Sequence, residues 1–247
     1  MAKASVITVP AFADRGSQVH HFFGTRQHTS QHDLEQGIPL RGIQGAAPSS
    51  WTLSVKQVHG TDALIVDHVL TSTDQFAGGW DALITDQPGV TVAVRTADCV
   101  PILLHDPKRR VVAAIHAGWR GAVAGIVPKT LALLRSRFGS HPEQVRMSIG
   151  PSVGACCYEV DEPVLDRLRE GFSDWEKVVR YRTAGKVHLD LKTLVKEQAL
   201  THGVSTRAVT TVNLCTMCHE DMFFSYRREG KVYGTMISAI GLPLKKR

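Results

Sequence analysis

Apolar positions in this chain gather into short runs punctuated by turn residues. Val100 to Leu104 and Val111 to Ile115 are continuous apolar runs, bounded by Asp106-Pro107 and by His116-Ala117-Gly118. Such runs predict strands buried on both faces. Ala63-Leu-Ile-Val66, Ala82-Leu-Ile-Thr85 and Val90 to Val94 predict further strands, the last two separated by the turn sequence Asp86-Gln-Pro-Gly89. Leu53 to Val58 alternates well enough for a strand ending at His59-Gly60. Val145 to Ile149, Val209 to Asn213, Phe223 to Arg227 and Gly234 to Ile240 complete the predicted strands, and Met1 to Pro10 carries a short strand-like pattern.

Helical periodicity is clearest where Val123, Ile126, Val127, Thr130, Leu131, Leu134 and Phe138 recur on one face, with Gly139 as the stop. Glu162 to Phe172 and Leu191 to His202 predict two more amphipathic helices, the second ended by Gly203. Helices and strands mix without strict βαβ alternation, and neither a repeat nor a linker interrupts them. The pattern predicts a single α+β domain. The stretch from Thr25 to Ser50 is polar, rich in Gly, Gln and Pro, and reads as loop. Residues 1–50 are expected to be an N-terminal strand and loop segment of the same domain, and 51–247 its core.

Bulk composition narrows the class. The 247 residues are 43% hydrophobic and 21% charged, an ordinary globular balance. No apolar run approaches a membrane span, and the N-terminus lacks the apolar stretch of a signal peptide, so a cytoplasmic location is expected. Net charge is +6, which suits anions such as phosphate or nucleotides. The basic residues are scattered, apart from Arg109-Arg110 and Lys245-Lys246-Arg247. Without a basic stripe interleaved with aromatics, no nucleic-acid partner is expected. The five cysteines are Cys99, Cys156, Cys157, Cys215 and Cys218. Their odd number and low density argue against a disulfide framework.

Three predicted strand ends place a metal-ligand type beside a turn: Gln57-Val-His-Gly60, Thr96-Ala-Asp-Cys99 and Ile115-His-Ala-Gly-Trp-Arg-Gly121. Two imidazoles and one thiolate suit zinc and leave a fourth position open, as catalytic zinc sites do. The spacing is long and a weak signal, and a packed cysteine with hydrogen-bonded histidines is the favoured reading of these residues alone.

Six blocks in matching order extend the comparison. They are Lys56-Gln-Val-His-Gly-Thr61, Asp81-Ala-Leu-Ile-Thr-Asp86, Thr96-Ala-Asp-Cys-Val-Pro101, His116-Ala-Gly-Trp-Arg-Gly121, Ile149-Gly-Pro151 with Cys157-Tyr-Glu-Val160, and Phe223-Phe-Ser-Tyr-Arg-Arg228. Together, from about Trp51 to Leu242, they resemble the laccase-domain family. That family was first described as multicopper polyphenol oxidases, and its members are read as purine nucleoside phosphorylases with adenosine deaminase and methylthioadenosine phosphorylase activity. The resemblance implies mixed β-sheets flanked by helices in α/β/β/α layers, with 51–247 as the laccase-like catalytic core. It implies zinc held by His59, Cys99 and His116, and a purine nucleoside (adenosine, inosine, guanosine or methylthioadenosine) with phosphate as substrates. Copper is an adventitious alternative, since it outranks zinc in intrinsic affinity. Asp98 is a candidate general acid or base, or an acceptor that holds a histidine tautomer. Arg120 is a candidate phosphate contact near the start of the long helix. Upstream, the family's Thr-Arg pair is kept as Thr25-Arg26, followed here by Gln-His-Thr-Ser, and no Asn-Leu-Gly run follows. Arg26 is a further candidate phosphate or substrate contact.

Rival readings use the same residues. Cys99 with His116 as base would make a metal-free cysteine hydrolase or deamidase. Copper at the same ligands would make a phenol oxidase, although a laccase needs several coppers and many more histidines. His20-His21, His28 and His32 sit in polar stretches that suit solvation. A nucleoside- or zinc-binding regulatory domain would bind without turnover. Cys215-Thr-Met-Cys218-His219 matches the spacing for covalent haem attachment, but no export signal accompanies it. A structural zinc knuckle needs a second ligand pair, and Cys156-Cys157 is adjacent rather than spaced. Buried thiols are therefore the expectation for these four.

Overall fold

The computed structural model describes residues 6–12, 19–27, 37, 40, 41, 50–181 and 185–244. His28, His32, the Lys245-Lys246-Arg247 end and most of the Thr25–Ser50 segment lie outside the described residues. The strands, in chain order, are β1 (Val6–Ile7), β2 (His20–Gly24), β3 (Leu40–Arg41), β4 (Trp51–Ser54), β5 (Ala63–Val66), β6 (Ala82–Thr85), β7 (Val90–Thr96), β8 (Val100–Asp106), β9 (Val111–Ala117), β10 (Arg146–Ile149), β11 (Glu159–Val160), β12 (Val179–Tyr181), β13 (Val187–Leu189), β14 (Val209–Thr211) and β15 (Met236–Gly241). The α-helices are α1 (Trp119–Val123), α2 (Ile126–Phe138), α3 (Glu162–Gly171), α4 (Leu191–Thr201) and α5 (Tyr226–Glu229).

The apolar runs explain the layering. Successive residues of a strand face opposite sides, so a run apolar at every position must be covered twice. One six-stranded sheet has the order β14-β10-β8-β9-β6-β5, and the other β1-β2-β15-β7-β4-β3. Ile102, Leu104, Ala113 and Ile115 of the first turn toward Ile126 and Leu134 of α2, Leu168 of α3 and Leu194 of α4. Their neighbours Leu103, Val112 and Ala114 turn the other way, against Phe23, Leu53, Val90, Val92 and Ile240 of the second sheet. Helices, sheet and sheet thus stack in one body. Both sheets are mixed: β4 runs parallel to β7, and β5 to β6, while β8, β9 and β15 pair antiparallel. This is the expected α+β class, mixed sheets flanked by helices.

Three local expectations differ. The predicted helix through Val123 to Phe138 is two helices, broken at Gly125, whose φ of 83° lies in the left-handed region that glycine adopts at little cost. The strand expected over Leu53 to Val58 stops at Ser54. Beyond it, the Gln57 side chain replaces the ladder, donating from Nε2 to the Arg95 carbonyl at 2.7 Å and accepting from the Arg95 amide at 2.8 Å. Phe223 to Arg227 is not a strand. Ser225 caps the short α5 by accepting from the Arg228 amide at 3.2 Å, and the Arg227 amide donates to the distant Asp98 carboxylate at 2.6 Å, so a local cap and a tertiary carboxylate take up the backbone donors here. The two- and three-residue strands β3 and β11–β13 are too short for periodicity to mark them, and β2, His-His-Phe-Phe-Gly, shows no alternation that would.

Candidate functional site

His59, Cys99 and His116 converge, with one ligand atom from each lying within 4.8 Å of the other two. Strand register accounts for this. His116 is the penultimate residue of β9, paired with Pro101 near the start of β8, and Cys99 occupies the reversal between β7 and β8. His59 sits in the turn after β4, with φ at 60°. Its Nε2 is 3.8 Å from Cys99 Sγ, and its ring meets that of His116 edge-on with centroids 4.8 Å apart. Gly118 leaves the space. A Cβ there would fall 2.7 Å from His59 Cδ2 and 3.2 Å from Cys99 Sγ. His116 is buried, Cys99 half-buried and His59 exposed, so the group opens to one side.

Asp81, fully buried at the head of β6, builds this arrangement. One carboxylate oxygen accepts from His116 Nδ1 at 2.7 Å and from the His59 amide at 3.0 Å; the other accepts from the Gly60 amide at 2.6 Å and the Val58 amide at 3.3 Å. The same group therefore fixes the His116 tautomer, leaving Nε2 for a metal, and folds the turn that presents His59. Burial pushes the Asp81 carboxyl up, but the bonds from His116, Gly60 and His59 outweigh it, and the group lies below the usual carboxylate range. Burial also pushes the Cys99 thiol up; the neighbouring His116 and His59 reverse this and favour the thiolate. Burial pulls His116 down, and the Cys99 thiolate and Asp81 together raise it above an ordinary imidazole. Polypeptide alone thus holds a thiolate ready as a ligand or nucleophile.

The group forms the floor of a cleft of about 730 Å³. Arg95, Arg120 and Arg227 bring guanidinium groups to it, and Trp119, Tyr158 and Tyr226 bring rings. The Arg120 guanidinium lies 4.5 Å over the Trp119 ring, and that of Arg227 5.2 Å over Tyr158. Burial and the Cys99 charge both push the Tyr158 phenol up, so it stays a neutral donor.

Asp98, with φ at 90°, lines the cleft, but both its oxygens are engaged. One accepts from Thr216 Oγ1 at 2.5 Å; the other accepts from Ser225 Oγ at 3.0 Å and from the Arg227 amide. The carboxylate that holds a histidine is Asp81, not Asp98. Arg120 lies on the short α1, ahead of the long helix, and faces the cleft. Arg26 is not among the residues lining the cleft. It donates to the Glu220 carbonyl and stacks 4.7 Å over Phe224. Asp81, Tyr158, Arg227 and Trp119 were missed as site residues, although all four fall inside the blocks quoted above, and motif membership was the available signal. The expectation of buried packing for the other four cysteines is also corrected: Cys156 and Cys218 are exposed, and only Cys215 is buried.

Among the described residues, no helix is long and apolar enough to cross a membrane. The family described as multi-copper polyphenol oxidoreductase laccase matches residues 40–243. A purine nucleoside phosphorylase of Bacteroides thetaiotaomicron is 40% identical over 190 residues, covering 74% of this chain and 70% of that protein. Adenosine deaminase RL5, from an unknown prokaryotic organism, is 33% identical over 191 residues, covering 75% and 72%. The crystal structure of YlmD from Geobacillus stearothermophilus superposes with a TM-score of 0.79 at 28% identity, covering 98% of each chain. By family match, sequence relatives and fold alike, the chain belongs to the laccase-domain family.

Proposed function

We propose that this chain is a zinc-dependent purine nucleoside phosphorylase, cleaving adenosine, inosine, guanosine or methylthioadenosine with phosphate, and that the same site deaminates adenosine. The observation that carries this reading is a two-histidine, one-cysteine donor set, aimed by Asp81, on the floor of a cleft lined by guanidinium groups and aromatic rings. Relatives named purine nucleoside phosphorylase and adenosine deaminase support it.

The donor set fits zinc. Two neutral imidazoles and a thiolate leave a divalent ion with one net positive charge and a vacant position. When bound, the ion supplies a Lewis acid that favours phosphate or water at that position. The chain's own groups do the rest. Asp81 keeps His116 in the tautomer whose Nε2 faces Cys99 and His59. Arg120 and Arg227 offset phosphate charge and orient it. Trp119, Tyr158 and Tyr226 offer faces on which a purine stacks. We assign Asp98 to positioning rather than proton transfer: its carboxylate anchors Ser225 and Arg227, and so sets one wall of the cleft. Arg26, tied to Glu220 and Phe224, is assigned to anchoring that wall from behind. A phenol oxidase working through several coppers needs many more imidazoles than the two gathered here. We place the reaction in the cytoplasm, which suits a chain whose five cysteines are all unbridged.

Purified protein incubated with adenosine, inosine and methylthioadenosine, with and without phosphate, tests the reading when zinc content is measured alongside. Free base formed only with phosphate supports phosphorolysis, and inosine from adenosine supports deamination. Cys99→Ala is expected to lose both the metal at this site and all activity; activity retained in that variant sinks the proposal. The Cys99–His116 pair, with a thiolate beside a raised imidazole, also favours a second reading, a metal-free cysteine hydrolase. Activity that survives thorough chelation selects it.

A further inference from the structure

Away from the cleft floor, Cys156, Cys157, Cys215 and Cys218 bring their sulfurs within 4.8 Å of one another. Cys218 Sγ lies 3.6 Å from that of Cys156 and 3.4 Å from that of Cys157. The two pairs come from turns about sixty residues apart, joined where Ser152 bridges Cys215 and the Thr216 amide donates to the Ser152 carbonyl at 3.1 Å. A tetrahedral zinc with bonds of roughly 2.3 Å to sulfur sets its thiolates roughly 3.8 Å apart. The observed spacing fits one ion. An iron–sulfur cluster, with several irons and bridging sulfides, spreads its thiolates more widely.

Backbone donors converge on Cys215, the most buried of the four sulfurs. The Gly154 amide donates to Cys215 Sγ at 3.2 Å, and the Cys218 amide donates to the same sulfur. Gly154 has no side chain to obstruct them: a Cβ there would lie 3.1 Å from Cys156 Sγ and 3.3 Å from Cys215 Cβ. The ammonium group of Lys192, a residue only 9% exposed, donates to the Leu214 carbonyl at 2.7 Å and lines the same depression as Lys196, Cys156 and Cys215. A divalent ion with four thiolates carries two negative charges, and these two lysines offset them.

We propose that these four cysteines bind a second, structural zinc ion, separate from the His59–Cys99–His116 centre. Adjacent Cys156 and Cys157 serve as one ligand pair, and Cys215-Thr-Met-Cys218 as the other. The ion clamps two turns whose next residues shape the cleft. Tyr158 follows Cys157, and Thr216, which follows Cys215, donates to Asp98. All four coordination positions are filled by protein, so the ion holds structure and takes no substrate.

Metal analysis of the folded full chain tests this independently of the proposed reaction. The Cys99→Ala protein is expected to retain one zinc per chain, and Cys99→Ala/Cys218→Ser none. Cys218→Ser alone is expected to lose half of the wild-type zinc. Should Cys218→Ser fail to fold, cobalt-substituted Cys99→Ala protein decides: a near-ultraviolet sulfur-to-cobalt charge-transfer band, with visible bands of tetrahedral intensity, is expected. A Cys99→Ala protein without stoichiometric metal, with a disulfide detected by mass, with iron in place of zinc, or without the cobalt–thiolate band overturns the proposal.

Discussion

Replacing Asp81 by asparagine tests the architecture of the site most directly, because one carboxylate holds both candidate histidine donors. Its oxygens accept from His116 Nδ1 and from three successive amides, at Val58, His59 and Gly60. Asparagine keeps the shape but replaces one acceptor oxygen with a donor NH₂. Whichever way the amide turns, that NH₂ faces N–H groups, either the Gly60 and Val58 amides or the pair from His116 and His59. Hydrogen bonds to a charged group contribute about 1.5–3 kcal/mol, and a buried donor left unsatisfied costs about 1–3 kcal/mol. Losing one such interaction and weakening the others puts the expected destabilisation at about 2–3 kcal/mol, a fall in Tm of roughly 4–12 °C for a domain of this size. Removing the carboxylate behind a metal-bound histidine costs roughly 10–100-fold in metal affinity. Thermal melts and zinc titration against a competing chelator measure the two effects separately. An Asp81→Asn protein that melts lower yet binds zinc with wild-type affinity would refute the argument, because Asp81 would then be a backbone clamp alone.

Other outcomes follow from the same geometry. Gly118→Ala forces a methyl group to within 2.7 Å of His59, so zinc at this centre is expected to fall, as read by metal content of the folded protein, while the cores between layers stay intact. Arg120→Ala removes an exposed guanidinium, so KM for phosphate is expected to rise roughly fivefold, the equivalent of about 1 kcal/mol, with zinc content and Tm unchanged; an unaltered KM removes Arg120 from the phosphate site. His21 accepts from the Val9 amide at 2.9 Å, and burial holds its pKa below 6.5. With the folded value depressed, the neutral ring contributes stability above pH 6.5, and that contribution is lost as pH falls through the folded value. Wild type is therefore expected to lose more stability than His21→Gln between pH 7 and 5, measured by denaturant unfolding; parallel losses count against it.

Much of this protein was legible along the chain. Val100 to Leu104 and Val111 to Ile115 are apolar at every position, and such segments can satisfy both faces only as central strands between two layers. The candidate donors His59, Cys99 and His116 were legible through the family resemblance of the runs that contain them, whereas the residues alone left a packing role open. Tertiary structure decided what spacing cannot carry. Asp81 lies 35 residues from His116 and became its partner only through the register of β6 on β9. Asp98, next to the candidate donor Cys99 in sequence, turned its carboxylate away toward Thr216 and Ser225. Cys156-Cys157 and Cys215-Thr-Met-Cys218 each read as incomplete, and only the meeting of two distant turns brought four sulfurs together. Periodicity records which face of an element is buried, a local property of each strand or helix. Which side chains meet across the interior depends on strand order and register, and those are set by how all the elements pack at once.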